Sequence, residues 1–277
     1  MDLETILASF VEYYNQYFLP YLVADYDGNA FQRFGIPHLI VLGVTAFILL
    51  LIIFTRNNLD DDGRAGIREV MAQILIINEI GFYIWLYFYQ ELPPLNLIPK
   101  LPLKIIPITL IGLLAWLSAF MLLKKSQKLY EIVYLIGTIP ALYIIIMPLD
   151  SLYGFPHAHF FFALITPVIV FLSAIYMSVA ERDMEINFKS VLRALLFANI
   201  IMAVVYGINL YLGTNFLSLI TAPRSSPFPL PPAPLHLLYY EGFAVASSLL
   251  LYIPFLIKDK IRRRNLQANT ERIKDFV

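Results

Sequence analysis

The sequence predicts an all-α polytopic membrane protein. Three observations predict it: an apolar excess, unbroken apolar runs long enough to cross a bilayer, and lysines and arginines gathered on alternate flanks of those runs. Hydrophobic residues make up 59% of the chain and charged residues only 14%. Soluble domains carry about 25% charged residues. A spanning helix needs roughly 20 apolar residues. Seven stretches come close to that length, near 37–55, 70–90, 103–123, 130–149, 159–179, 191–212 and 237–257. Their apolar character is continuous and does not alternate, so helices are expected rather than barrel strands.

Residues 1–36 read as a surface segment. Leu3, Ile6, Leu7, Phe10, Val11, Tyr14 and Phe18 recur at helical spacing, the pattern of an amphipathic helix on the membrane face or packed on the bundle. DYDGN at 25–29 is a turn. Residues 37–257 form the seven-helix membrane domain. RNNLDDDGR at 56–64 reads as a polar loop between the first two spans. APRSSPFPLPPAPL at 222–235 holds six prolines and reads as an extended loop before the last span. Residues 258–277 form a basic tail.

Charge sets the expected orientation. The N-terminal segment and the even-numbered loops hold Arg33, Lys100, Lys104 and Arg224, four of the 20 basic residues. The other flanks hold the rest, including Lys124, Lys125, Lys128 and Arg262, Arg263, Arg264. Positive-inside reasoning puts the N-terminus outside and the C-terminus in the cytoplasm. Anchoring explains the basic tail, and no nucleic-acid partner is expected. The expected partners are membrane lipids, then another integral membrane protein.

Cysteine is absent, which excludes disulfides, thiolate metal sites and a thiol nucleophile. MDLETILASF lacks a basic n-region and a small-residue cleavage site, so it is not read as a removed signal peptide.

A charge in hydrocarbon costs at least about 2.5 kcal/mol, so each one asks for a reason. Glu79 sits mid-way along the second span beside Asn78, Glu241 lies early in the seventh, Lys104 opens the third, and Asn199 and Asn209 lie in the sixth. On the expected topology His38, His157, His159 and His236 all fall at the outer face. His38, Lys104, His157, His159, Asn209 and Glu241 could line an outer polar cavity with Glu79 at its floor. Glu79 could instead pair with Lys104 as a structural lock. His157 and His159 would point about 200° apart on one helix, so no metal site is expected, and no cofactor.

Several segments together resemble the YwaF-type bacterial integral membrane proteins, which are similar to eukaryotic multipass lipid acyltransferases. FGIPHLIVL at 34–42 resembles the first-helix entry of that family and NEIGFYIW at 78–85 its second helix. LPLKII at 101–106 resembles its Leu-Pro-Leu-His-Leu-Cys motif. FPHAHFFFALITP at 155–167 resembles its Phe-Pro-His stretch, NLYLGTNFLSLITAP at 209–223 its Gly-Thr-Asn-Tyr signature, and LYYEGFAVASSLLLYIPF at 238–255 its last helix. The resemblance implies a bacterial inner-membrane protein. It also implies that a cysteine and a fifth-helix histidine are the acyl-transfer pair of the catalytic relatives. Here those positions are Ile106 and Pro167, and Lys104 replaces the motif histidine. Isoleucine offers no nucleophile and proline no base.

The reading is therefore a non-catalytic member, lipid-binding or an accessory or scaffold subunit of a membrane assembly. One alternative is a lipid-modifying enzyme using Glu79 or Glu241 with outer-face histidines. Another is a small proton-coupled transporter relaying through Glu79.

Overall fold

The computed structural model describes residues 3–23, 26–89, 109–148, 153–181, 183–223 and 229–274. Every regular element among them is helical: α1 (Leu3–Tyr17), α2 (Ile36–Thr55), α3 (Asp61–Tyr89), α4 (Leu110–Lys124), α5 (Gln127–Ile132), α6 (Thr138–Ile146), α7 (Ala158–Val179), α8 (Phe188–Leu212) and α9 (His236–Lys274). A π-helical turn, Val133–Gly137, joins α5 to α6. Among the described residues, six helical stretches are long and apolar enough to cross a membrane: Ile36–Thr55, Asp61–Tyr89, Gln127–Ile146, Ala158–Val179, Phe188–Leu212 and His236–Asn265. The shorter apolar α4 is a seventh hydrophobic helix. The chain is a polytopic all-α membrane protein.

Burial is graded from an axis outward. In α7, 67% of the most apolar window is buried, whereas α2 and α9 each reach only 11% and α8 17%. α7 is thus the central post, and α2, α3, α4 and α6 pack against it. α2 buries a single narrow stripe, His38, Thr45 and Ile52, spaced seven apart so that they return to nearly the same face. Its other face presents Leu39, Phe47, Leu50 and Phe54 outward, as a lipid-facing helix should.

Local chemistry sets the helix ends. Asp60 accepts from the Gly63 amide at 2.8 Å, and Asp61 and Asp62 fill the first turn of α3, where free amides favour negative charge. α3 therefore starts well before the predicted position near 70. Its opening turns are polar, and hydropathy reads only the apolar part. Lys125 takes a left-handed conformation (φ 46°) to end α4, and Ser126 caps α5. A reciprocal Asn187–Ser190 capping box starts α8, and Gly213 (φ 64°) ends it. The basic segment from Lys258 onward continues α9 as helix to Lys274. α1 is tied to the bundle by the Tyr14 hydroxyl, bonded to the Tyr89 hydroxyl at the end of α3.

The antiparallel succession sorts the polar residues. One end of the bundle carries the starts of α2, α7 and α9 and all four histidines. The opposite end carries the starts of α3, α5 and α8 and a dense set of ion pairs.

Candidate functional site

The most deeply placed polar cluster lies where α3, α4 and α7 meet. Asn78, Glu79 and Thr166 are only 7%, 5% and 2% exposed. The Asn78 amide donates to the Thr166 hydroxyl at 2.8 Å and to the Phe162 carbonyl at 3.2 Å. Thr166 in turn donates to Glu79 Oε1 at 2.8 Å. The donor chain thus runs Asn78 to Thr166 to Glu79 and ends on a carboxylate oxygen. The other oxygen, Oε2, lies against the first turn of α4. A Cβ on Gly112 would sit 3.4 Å from it. The carboxylate thus sits beside an amino-terminal turn whose partial positive charge favours it. Thr109 caps that turn by accepting from the Gly112 amide at 3.0 Å.

Pro167 follows Thr166 directly and is buried inside α7. It supplies no proton acceptor, and its missing N–H takes one bond from the helix ladder. Lys104 and Ile106 lie outside the described residues, so the pairing of Glu79 with Lys104 stays an expectation.

The histidines behave as staples. His38 is fully buried; its Nδ1 accepts from the Phe34 amide at 2.9 Å and its Nε2 bonds the Ile145 carbonyl at 2.8 Å. An amide can only donate and a carbonyl only accept, so His38 is the neutral Nε2–H tautomer. His157 repeats the arrangement. As the cap of α7 it accepts from the His159 amide at 3.1 Å, and its Nε2 donates to the Val23 carbonyl at 3.1 Å. Burial holds its imidazolium form down, against a smaller opposing effect of the Val23 carbonyl. His236 bonds the Ser218 carbonyl at 3.0 Å. His159 stands among Phe82, Trp85 and Tyr153. The entries of α2, α7 and α9 are therefore each pinned to another segment through a histidine ring nitrogen. Beside His38 lies a small crevice of about 160 Å³, lined by Asn29, Phe31, Gln32, Pro37, Phe155 and Phe160 among others.

The remaining predicted site residues do not join the Glu79 cluster. Asn209 folds the chain back after α8: its Oδ1 accepts from the Phe216 amide at 2.7 Å and the Thr214 hydroxyl at 2.8 Å, and its amide donates to the Phe216 carbonyl. Glu241 meets Asn199 on the α8–α9 face, at 3.1 and 3.2 Å. Among the described residues, no group of three or more His, Asp or Glu is placed to hold a metal.

Sequence reading missed the ion network at the opposite end. Glu181, just past α7, is buried and bonded to Arg68 of α3 and, at 2.8 Å, to Lys125. Lys125 also reaches Asp183 at 3.0 Å. Glu131 takes Arg193 through both oxygens, at 2.7 and 2.8 Å. These residues lie in loops and at helix ends, where single-residue hydropathy treats them as solvated. The run ERDMEIN at 181–187 was the available signal, because three acids there face several loops of basic residues.

The arrangement offers a buried, hydrogen-bonded Asn78–Thr166–Glu79 chain, histidine staples and an ionic lock at the far end. No curated protein and no solved structure matches the chain. Residues 33–252, from just before the first span to near the end of the last apolar stretch, match the TMEM164 family. The match covers all six long apolar helices in whole or in large part and places the chain in a multipass membrane family. The chain belongs to the TMEM164 family.

Proposed function

We propose that this protein is a non-catalytic, YwaF-like accessory subunit of a membrane assembly. The observation that carries the reading is the state of the polar core. Thr166, itself held by Asn78, donates to Glu79 Oε1, and backbone groups take both ring nitrogens of His38 and of His157. None of these groups is presented to a substrate as a nucleophile or base. The residue at the position where the resemblance implies a base is Pro167, and the chain contains no cysteine. The resemblance to the YwaF-type proteins supports a bacterial inner-membrane location, and the split of basic residues supports the histidine end outside and the end of α9 in the cytoplasm.

Native mass spectrometry of the protein released gently from its own membrane tests this. A stoichiometric second protein is expected. A lone chain that converts an added phospholipid would overturn the proposal. A second reading, lipid binding, is favoured by the crevice beside His38, whose amide-bearing and aromatic lining suits a lipid headgroup. That reading predicts one retained lipid, lost when Gln32 is replaced by Leu.

A further inference from the structure

We infer that the Glu241–Asn199 pair is the docking point for a transmembrane helix of another protein carrying a lysine or arginine near mid-span. The inference rests on the accessory-subunit reading and names where the other subunit sits.

Asn199 is exposed and Glu241 is only half-buried, yet both belong to helices that cross the membrane. Asn199 is near the middle of α8 (Phe188–Leu212), about 17 Å from one end and 20 Å from the other at 1.5 Å per residue. Around it Leu192, Leu196, Ile200 and Val204 point outward, and on α9 so do Leu238 and Phe243. A carboxylate thus opens onto an apolar surface at hydrocarbon depth. Such a group is rare and marks function or assembly.

The donor and acceptor inventory identifies the occupant. The Asn199 amide spends one N–H on the Leu195 carbonyl at 3.0 Å and the other on the two Glu241 oxygens. What the pair shows outward is the Asn199 carbonyl oxygen and the remaining carboxylate lone pairs, all acceptors. Among the described residues no cation reaches Glu241. A second copy would bring the same acceptors and satisfy nothing. A cationic lipid headgroup sits at the interface, too far from this depth. A basic side chain on a membrane-spanning helix supplies both donors and countercharge. Polar contacts between membrane helices are individually weak, so the charge pair would select the partner and the apolar face would hold it.

The test places a photo-crosslinking phenylalanine analogue at Leu196, with Leu50 of α2 as the control position, and irradiates cells before extraction. The expected adduct at Leu196 is a peptide of a different membrane protein, from a spanning segment with a mid-span lysine or arginine. It is lost in Glu241→Gln and regained when Glu241→Lys is combined with an acidic substitution of that basic residue. Adducts with lipid alone, with a second copy, or with a segment lacking a basic residue would overturn the inference, as would an adduct indifferent to Glu241→Gln. Native mass spectrometry of the same membranes separates the two levels. A second protein retained in Glu241→Gln places the contact elsewhere and leaves the accessory reading standing, whereas a lone wild-type chain defeats both.

Discussion

The Thr166 hydroxyl donates to Glu79 Oε1 at 2.8 Å and simultaneously accepts from Asn78. One side chain of the central helix therefore satisfies two polar groups of α3, directly before the proline that interrupts the α7 ladder. Replacing it by valine keeps the shape and strands both partners. Thr166→Val is expected to destabilise the bundle by about 1–3 kcal/mol, the cost of unsatisfied buried polar groups. Thr166→Ser, which keeps the hydroxyl, should recover most of this. Thermal unfolding in detergent, followed by tryptophan fluorescence, reads the difference.

The ion network predicts two unequal losses at adjoining partners. The Glu181 side chain is 1% exposed and holds both Arg68 and Lys125, whereas the Lys125 side chain is 37% exposed. Glu181→Ala leaves Arg68, whose side chain is only 15% exposed, without its counterion and should cost about 3–5 kcal/mol. Lys125→Ala removes a partly solvated partner and should cost about 0–1 kcal/mol. Equal effects in the same unfolding assay would mean that the network is not organised around Glu181.

How much of this was legible beforehand differs by level. The spans of α2, α7 and α8 follow directly from continuous apolar runs, because lipid demands them residue by residue. The start of α3 does not, since Asp61 and Asp62 are favoured there by helix-end electrostatics that hydropathy cannot register. Glu79 stood out because it is an acid in the middle of an apolar span, but its partner did not. A threonine 87 positions away is invisible until α3 and α7 are packed. The histidines were seen as a group, and their roles were not, because backbone carbonyls such as those of Ile145 and Val23 leave no mark in a sequence. The Glu241–Asn199 pair was visible only as two separate polar residues on adjacent helices.

His157 makes the entry of α7 sensitive to acid. Its Nδ1 must stay unprotonated to accept from the His159 amide, and burial depresses its pKa below the ordinary value. The unfolded imidazole titrates near about 6.5. Below that value the unfolded chain binds more protons than the folded one. The stabilisation is therefore full above about 6.5 and is lost as the pH falls toward the depressed folded value. Hydrogen-exchange protection of the His159 amide, corrected for intrinsic rate, is expected to fall across that window. In His157→Asn, which keeps a capping oxygen and cannot titrate, protection should no longer vary with pH. A wild-type profile flat from neutral to pH 5 would refute the assigned tautomer.

Two glycines give opposite expectations for the same substitution. Gly154 donates to the Asn29 carbonyl at 3.0 Å, and a Cβ there would stand 2.4 Å from that same oxygen and 2.9 Å from the Ala30 carbonyl. Both obstacles are backbone and neither can swing aside. Gly154→Ala must therefore part the 26–32 segment from the entry to α7, widening the crevice beside His38, with a loss of about 1–3 kcal/mol. Gly43 lies inside α2 with nothing within 4 Å of the added carbon. There alanine only removes the conformational penalty of glycine in a helix, a gain of about 0.5–1 kcal/mol. Parallel unfolding of the two variants should give shifts of opposite sign. A neutral Gly154→Ala would show that the 26–32 segment is not held against α7 in the membrane, and the crevice would then have no fixed wall.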